Sequence, residues 1–165
     1  MNIILNPLAR KLSEENICHL IDNFISDNLC SVSREKFYYN LSLKIGVVTG
    51  KLSDSAGKCV AKDGRFGLFH ISLSLRGMKR FECEIKRLVY ELSPEDFKLL
   101  ILFHEVAHVI WMLNYHEIYE PFVMSKEAVV EEPFHPDEEN WCNQQAERFL
   151  MKLNILKPAE ERLPL

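Results

Sequence analysis

The sequence predicts a single α+β domain in which a small, mostly antiparallel sheet packs on a long buried helix. The length of 165 residues fits one domain, here residues 1–165. Strand-like segments rich in β-branched, aromatic and alternating residues lie between about 37 and 75. Apolar residues recur at helical spacing in three further segments, at about 13–29, 94–114 and 136–153.

The composition is that of a globular protein without a broad basic surface. Apolar residues make up 47% and charged residues 27% of the chain, and the formal net charge is -4. DNA- and RNA-binding domains carry a clustered positive charge that this balance lacks. We therefore expect no direct contact with nucleic acid.

The cysteines and the apolar runs indicate the compartment. The five cysteines are odd in number and form no C-x-x-C pair, which argues against a disulfide framework or a zinc ribbon. The apolar patch at the N-terminus is too short for a signal peptide, and no run approaches the length of a membrane span. The expectation is a soluble cytoplasmic protein, and the sequence does not indicate an oligomeric state.

The sheet is predicted from segments that differ in character. Residues 37–48 suit one or two strands, residues 49–66 look like turns with Asp63-Gly64 as a hairpin signal, and residues 67–75 alternate apolar and polar with period two. A short helix is predicted over 79–91.

The helix over 94–114 has the clearest start of the chain. Ser93 is a favourable N-cap, Pro94 suits the first turn, and two acidic residues follow, where the helix dipole favours negative charge. This helix is apolar almost all round, which predicts a central, buried position. A loop of about twenty residues is expected after Asn114.

The motif that carries chemistry lies inside this helix and reads HEVAH, His104 to His108. Residues four apart project from one face of a helix, so both imidazoles can bind one zinc ion. In the H-E-x-x-H pattern of metalloproteases, the glutamate, here Glu105, moves protons instead of binding metal. A buried carboxylate beside two imidazoles is costly without a cation, which favours a metal site over coincidence.

A catalytic zinc site needs a third protein ligand and an open position for water. The metzincin histidine is absent, because Asn114 occupies its position. The candidates downstream are His116, Glu117, Glu131, Glu132, His135, Glu138, Glu139 and Glu147. On a helical wheel Glu139 falls on the apolar stripe of the last helix, whereas Glu138 and Glu147 fall to its sides and can reach solvent. Glu139 is therefore predicted as the third ligand, with His135 and Glu131 as runners-up.

Together these residues resemble a family. HEVAH, followed by Glu139-Asn140-Trp141-Cys142-Asn143 and then QAERFLM, is similar to the ImmA/IrrE-like metallopeptidases over about residues 67–153. The resemblance implies a zincin-like, gluzincin-type fold with one zinc per chain, held by His104, His108 and Glu139, and Glu105 as the general base. It also implies that Asn143 orients a histidine. The implied substrate is a protein, such as a helix-turn-helix repressor encoded in a phage or mobile element.

Two other interpretations stay open at this point. SprT-like proteases also place a glycine-containing hairpin before H-E-x-x-H but use a third histidine, for which His135 is the nearest equivalent. A non-catalytic module could instead use the metal to stabilise its fold and bind a partner protein.

Tyr115 and His116, just after the long helix, are weaker candidates for stabilising an oxyanion. The expected reaction is hydrolysis of a peptide bond in a protein or peptide substrate.

Overall fold

The computed structural model describes the chain over most of its length, and the described residues are 2–5, 14–39, 44–49, 55–61, 66–124 and 135–158. They form an α+β domain with one sheet and several helices. The strands are β1 Asn2–Leu5, β2 Lys44–Thr49, β3 Gly57–Ala61 and β4 Leu68–Leu73. The α-helices are α1 Glu14–Asn28, α2 Ser31–Ser33, α3 Phe81–Val89, α4 Pro94–Asn114, α5 His116–Met124 and α6 Glu138–Lys152. A π-helical turn, Arg34–Tyr38, and a 3-10 turn, Gly77–Lys79, complete the regular elements of the described residues.

The four strands lie in the order β1-β2-β4-β3, and the prediction of a mostly antiparallel sheet is wrong. The β1–β2 and β2–β4 pairs are parallel, and only β3–β4 is antiparallel. Parallel neighbours require a crossover connection, which α1 and the segment after it supply between β1 and β2. Alternation of apolar residues has the same period in both kinds of pairing, so the sequence pattern could not distinguish them.

The bounds of the sheet also differ from the predicted 37–75. The apolar patch at residues 2–5 is a strand, residues 37–38 belong to the π-helical turn, and β3 lies in a segment that was expected to be turns. The Asp63-Gly64 hairpin signal lies outside the described residues. Short strands of mixed polarity such as β3 are recognisable only through their pairing partner.

The helices predicted at 13–29, 94–114 and 136–153 are confirmed as α1, α4 and α6. The start of α4 is capped as expected, since Ser93 Oγ accepts a hydrogen bond from Asp96 N–H at 3.1 Å. The loop expected after Asn114 is wrong over its first half, which forms α5. In the described part of the chain, no helix has the length and apolar character needed to cross a membrane.

The core lies where α4 meets α1, α6 and one face of the sheet. Phe24 of α1, Phe103 of α4 and Phe149 of α6 form a buried aromatic cluster with ring centroids 4.7–5.3 Å apart. Such ring pairs favour defined distances and angles. The cluster therefore fixes α6 against α4 close to His104, the neighbour of Phe103 in sequence.

Candidate metal centre

The two histidines of α4 face each other as their four-residue spacing predicts. His104 Nε2 and His108 Nε2 are 3.2 Å apart. Both side chains are mostly buried, with exposed fractions of 16% and 15%. Their ring nitrogens therefore meet at one point on the surface of α4.

Glu139, in the first turn of α6, brings a carboxylate to the same point. Its Oε2 lies 3.4 Å from His104 Nε2, and its Oε1 lies 3.3 Å from His108 Nε2. The inward position on α6 is confirmed for the apolar stripe, since Cys142, Ala146 and Leu150 are fully buried. Glu139 itself is 57% exposed, which is more than the helical wheel predicts.

These three side chains form the group in the described residues that can hold a metal ion. The two Nε2 atoms are 3.2 Å apart, and each lies 3.3–3.4 Å from a different oxygen of the Glu139 carboxylate. Zinc bonds to nitrogen and oxygen of about 2.0–2.1 Å in tetrahedral geometry place ligand atoms about 3.3–3.4 Å apart. The spacing and the donor types therefore fit zinc, with the fourth position left for a water molecule.

The Glu138 carboxylate contacts His108 at Nδ1, the ring nitrogen that faces away from Glu139. The sequence analysis predicted this carboxylate in solvent. Glu138 Oε1 lies 2.7 Å from His108 Nδ1, and Glu138 Oε2 accepts a hydrogen bond of 2.7 Å from the Tyr119 hydroxyl. The Glu138 side chain is only 12% exposed. The prediction that Glu138 reaches solvent is wrong because the wheel of α6 did not include α5, which covers that side.

The Glu138 contact sets the tautomer of His108. In the neutral ring, Nδ1 donates its proton to Glu138, so Nε2 carries a lone pair directed at the metal position. Burial lowers the pKa of His108, but the hydrogen bond from Glu138 and the charges of Glu105 and Glu139 outweigh it and raise the pKa overall. Burial and Glu138 also raise the pKa of Tyr119, so its hydroxyl stays protonated and donates.

His104 differs from His108 in the hydrogen bonding of its Nδ1. Its Nδ1 is buried and has no hydrogen-bond partner among the residues that the structure describes. Asn143, which the resemblance implies as an orienting group, does not bond to either histidine. Its Nδ2 donates to the Glu139 carbonyl at 2.9 Å, and its Oδ1 accepts from Lys86 Nζ at 3.1 Å. The predicted role of Asn143 is therefore wrong, because its side chain turns back along α6.

Glu105 lies under the histidines and against the edge strand β3. It is 6% exposed, and the Cys59 backbone N–H hydrogen-bonds to its carboxylate. Burial raises the pKa of Glu105 above the usual range, and Glu139 adds to this, while the two histidines and the Cys59 N–H act in the opposite direction. A carboxylate with a raised pKa is suited to accept and return a proton near neutral pH.

Gly57 of β3 has no Cβ, and the Glu105 carboxylate occupies the position that a Cβ would take. A Cβ at Gly57 would lie 2.4 Å from Glu105 Oε1 and 2.8 Å from its Cδ, far inside contact distance. The backbone of the edge strand therefore approaches the carboxylate as closely as only glycine allows. The sequence predicted turns over 49–66 and therefore indicated neither β3 nor this contact.

The remaining candidates do not join the site. His135 stacks on Tyr115 with ring centroids 6.2 Å apart, and it also contacts Trp111 at 5.2 Å. Tyr115 in turn lies 4.5 Å from the Trp111 ring, and the His116 ring packs on Phe37. His135, Tyr115 and Trp111 thus form one aromatic cluster, and His116 belongs to a different one. Glu147 accepts a hydrogen bond from Tyr90, and Glu131 lies outside the described residues.

The first prediction concerns the ligands. Purified protein should hold about one zinc per chain, and His104→Ala, His108→Ala or Glu139→Ala should each lose most of it, because three protein ligands are the usual minimum of such a site. Metal content is measured by elemental mass spectrometry. Asn140→Ala, one residue along α6 and exposed, is the control and should keep the metal. Full zinc content in Glu139→Ala would exclude this carboxylate as a ligand.

The second prediction concerns Glu138. Glu138→Gln should weaken zinc binding about 10–100-fold, the usual effect of removing a carboxylate behind a ligating histidine. Since Glu138 also raises the pKa of His108, protons compete with zinc at a higher pH in the native chain than in the variant. The difference in affinity should therefore be larger at pH 8 than at pH 6, in a titration against a fluorescent zinc chelator.

A matched control for this titration lies on the same helix. Glu147 also accepts a hydrogen bond from a tyrosine hydroxyl, that of Tyr90, and it is not a member of the metal-holding group. Glu147→Gln should bind zinc like the native chain. If it weakens zinc binding as much as Glu138→Gln does, the effect is one of helix stability and the assignment to His108 fails.

The third prediction concerns Gly57. Gly57→Ala should lower the free energy of unfolding by about 1–3 kcal/mol, because overpacking a filled site forces the Glu105 side chain or the strand to shift. Lys58→Ala, at the exposed neighbouring position of β3, should change it by less than about 0.5 kcal/mol. Urea unfolding of the metal-free proteins measures both. Equal stability of Gly57→Ala and the native chain would contradict the close packing of Gly57 on Glu105.

Comparisons of this chain with protein-family models, with curated proteins and with solved structures found no match. The assignment of a function consequently depends on the geometry of His104, Glu105, His108 and Glu139.

Proposed function

We propose that this protein is a zinc-dependent metallopeptidase with a zincin-like fold that hydrolyses a peptide bond in a protein substrate. One observation carries the proposal: two imidazole nitrogens and the Glu139 carboxylate meet beside the buried carboxylate of Glu105, whose pKa burial raises. A purely structural zinc site is usually closed by a fourth protein ligand and has no use for a base. Within the part of the chain that the structure describes, no fourth ligand accompanies the three.

The residues divide the work of hydrolysis as follows. His104, His108 and Glu139 would hold the zinc ion. Bound zinc polarises the scissile carbonyl and lowers the pKa of a water molecule. Glu105 accepts a proton from the attacking water and returns it to the amine that leaves. Glu138, held by Tyr119, accepts the Nδ1 proton of His108 and orients its ring so that Nε2 faces the metal position. The Cys59 N–H and Gly57 fix the position of the Glu105 carboxylate.

The similarity of the HEVAH and E-x-x-C-N segments to ImmA/IrrE-like metallopeptidases supports a substrate class. By that resemblance we propose a DNA-binding repressor of the helix-turn-helix type as the protein that is cut. The acidic net charge of -4 favours contact with the repressor and not with its DNA. The SprT-like alternative is less well supported, because His135 stacks on Tyr115 and lies outside the metal-holding group.

The fourth prediction tests catalysis directly. Glu105→Gln should keep one zinc per chain yet cut at least about 100-fold more slowly, because an amide cannot accept the proton. The substrate is a peptide library prepared from a bacterial proteome, and the new N-termini are identified by mass spectrometry. Glu117→Gln, at an exposed position of α5, is the control and should cut like the native chain.

The possible outcomes separate the interpretations. Cleavage by the native chain and by Glu117→Gln, but not by Glu105→Gln, supports the peptidase. Zinc-dependent cleavage that is undiminished in Glu105→Gln would overturn the role of Glu105. A zinc-loaded native chain that cuts neither the library nor a helix-turn-helix repressor would favour the non-catalytic binding module.

A further inference from the structure

Helix α3 has its apolar side in solvent. On a helical wheel Phe81, Ile85 and Leu88 lie within about 60° of one another. Their side chains are 79%, 38% and 60% exposed, and none of the nine residues of α3, all of which the structure describes, is buried. An amphipathic helix on a globular protein normally turns its apolar side to the core. We call Phe81, Ile85 and Leu88 the α3 stripe.

The polar side of α3 makes hydrogen bonds with the rest of the protein. Lys86 Nζ donates to Asn143 Oδ1 of α6 at 3.1 Å, and Arg87 Nη1 donates to the Leu92 carbonyl at 3.0 Å. On the wheel both basic residues lie more than about 100° from the centre of the α3 stripe. These hydrogen bonds fix the orientation of α3, and a rotation that buried the stripe would break them.

The charges of α3 are arranged along its length. Glu82 and Glu84 lie in the first turn, and Lys86 and Arg87 lie in the last. Glu82 is exposed and enters none of the ion pairs found among the described residues. On the wheel the two acidic residues border the α3 stripe on opposite sides. The stripe therefore has charged borders that are acidic at one end of the helix and basic at the other.

We propose that the α3 stripe is the contact surface of a homodimer in which the α3 helices of two copies run antiparallel. A two-fold dimer uses the same patch on both copies. With the axis between Glu84 and Ile85, Phe81 faces Leu88 of the partner subunit, and the acidic half of each helix faces the basic half of the other. A parallel arrangement would place Glu82 beside Glu82 of the partner subunit, and such like-charge contacts are unfavourable.

Charge complementarity favours a second copy over a membrane surface as the occupant of the stripe. Anionic lipid would repel Glu82 and Glu84, and the whole chain has a net charge of -4, whereas a second copy brings basic residues to these carboxylates. Three side chains form a small interface, so we expect a reversible dimer that forms at micromolar concentrations. This proposal does not involve the metal centre and goes beyond the proposed function.

The test measures the mass of the full chain by sedimentation velocity from low to high micromolar concentration. The mass should rise with concentration from 19.3 kDa towards twice this value. Phe81→Ser and Leu88→Ser should each weaken association about 100-fold, because a symmetric dimer loses the apolar side chain twice. Ile118→Ser, which removes a 55% exposed side chain from α5, is the matched control and should associate like the native chain.

The dependence on salt tests the antiparallel arrangement. Glu82→Lys should weaken association about 10-fold, because it places positive charge opposite the basic half of the partner helix. Potassium chloride screens these charges, so it should weaken the native dimer and strengthen the Glu82→Lys dimer. All variants should keep the native unfolding temperature, since the substituted side chains are exposed.

Several results would overturn the proposal. A native chain that stays monomeric at every concentration has no such dimer, and a dimer that Phe81→Ser and Leu88→Ser leave unchanged uses another surface. A native dimer that salt strengthens would exclude the antiparallel arrangement. If a monomeric native chain binds phosphatidylglycerol vesicles and Phe81→Ser abolishes this binding, the α3 stripe contacts a membrane and not a second copy.

Discussion

The packing of α6 against α4 is the contact on which the rest of the site depends. α4 buries nearly its whole surface, and the polar side chains in its middle are His104, Glu105 and His108. The aromatic cluster of Phe24, Phe103 and Phe149 fixes α6 at a height where its first turn meets the two imidazoles. A shift of α6 by one residue, about 1.5 Å, would remove the Glu139 carboxylate from tetrahedral spacing.

His108 and Glu105 of this apolar helix are hydrogen-bonded by different neighbouring elements. α5 and α6 supply Tyr119 and Glu138 to His108, and the edge strand supplies a backbone N–H to Glu105. Buried polar groups cost free energy unless they are paired, so these contacts also bind the elements together. His104 has no such partner at Nδ1 among the described residues, which makes the two histidines unequal as ligands.

The charge around the site is arranged on two sides. The carboxylates of Glu105, Glu138 and Glu139 lie close to the two histidines, where their negative charge favours a bound cation. On the other side, α3 places Lys86 on Asn143 one turn further along α6.

The features that could be predicted from the sequence are those that depend on residues close together in the chain. Helical periodicity and the Ser93 cap specify α4, the four-residue spacing pairs His104 with His108, and the stripe of α6 selects Glu139. The groups that contact these residues from other elements could not be predicted and are seen only in the folded chain. The parallel pairing of β2 with β4, the close approach of Gly57 to Glu105, and the Tyr119–Glu138–His108 contacts join residues far apart in sequence. Periodicity describes one element's faces and does not specify which neighbour covers them.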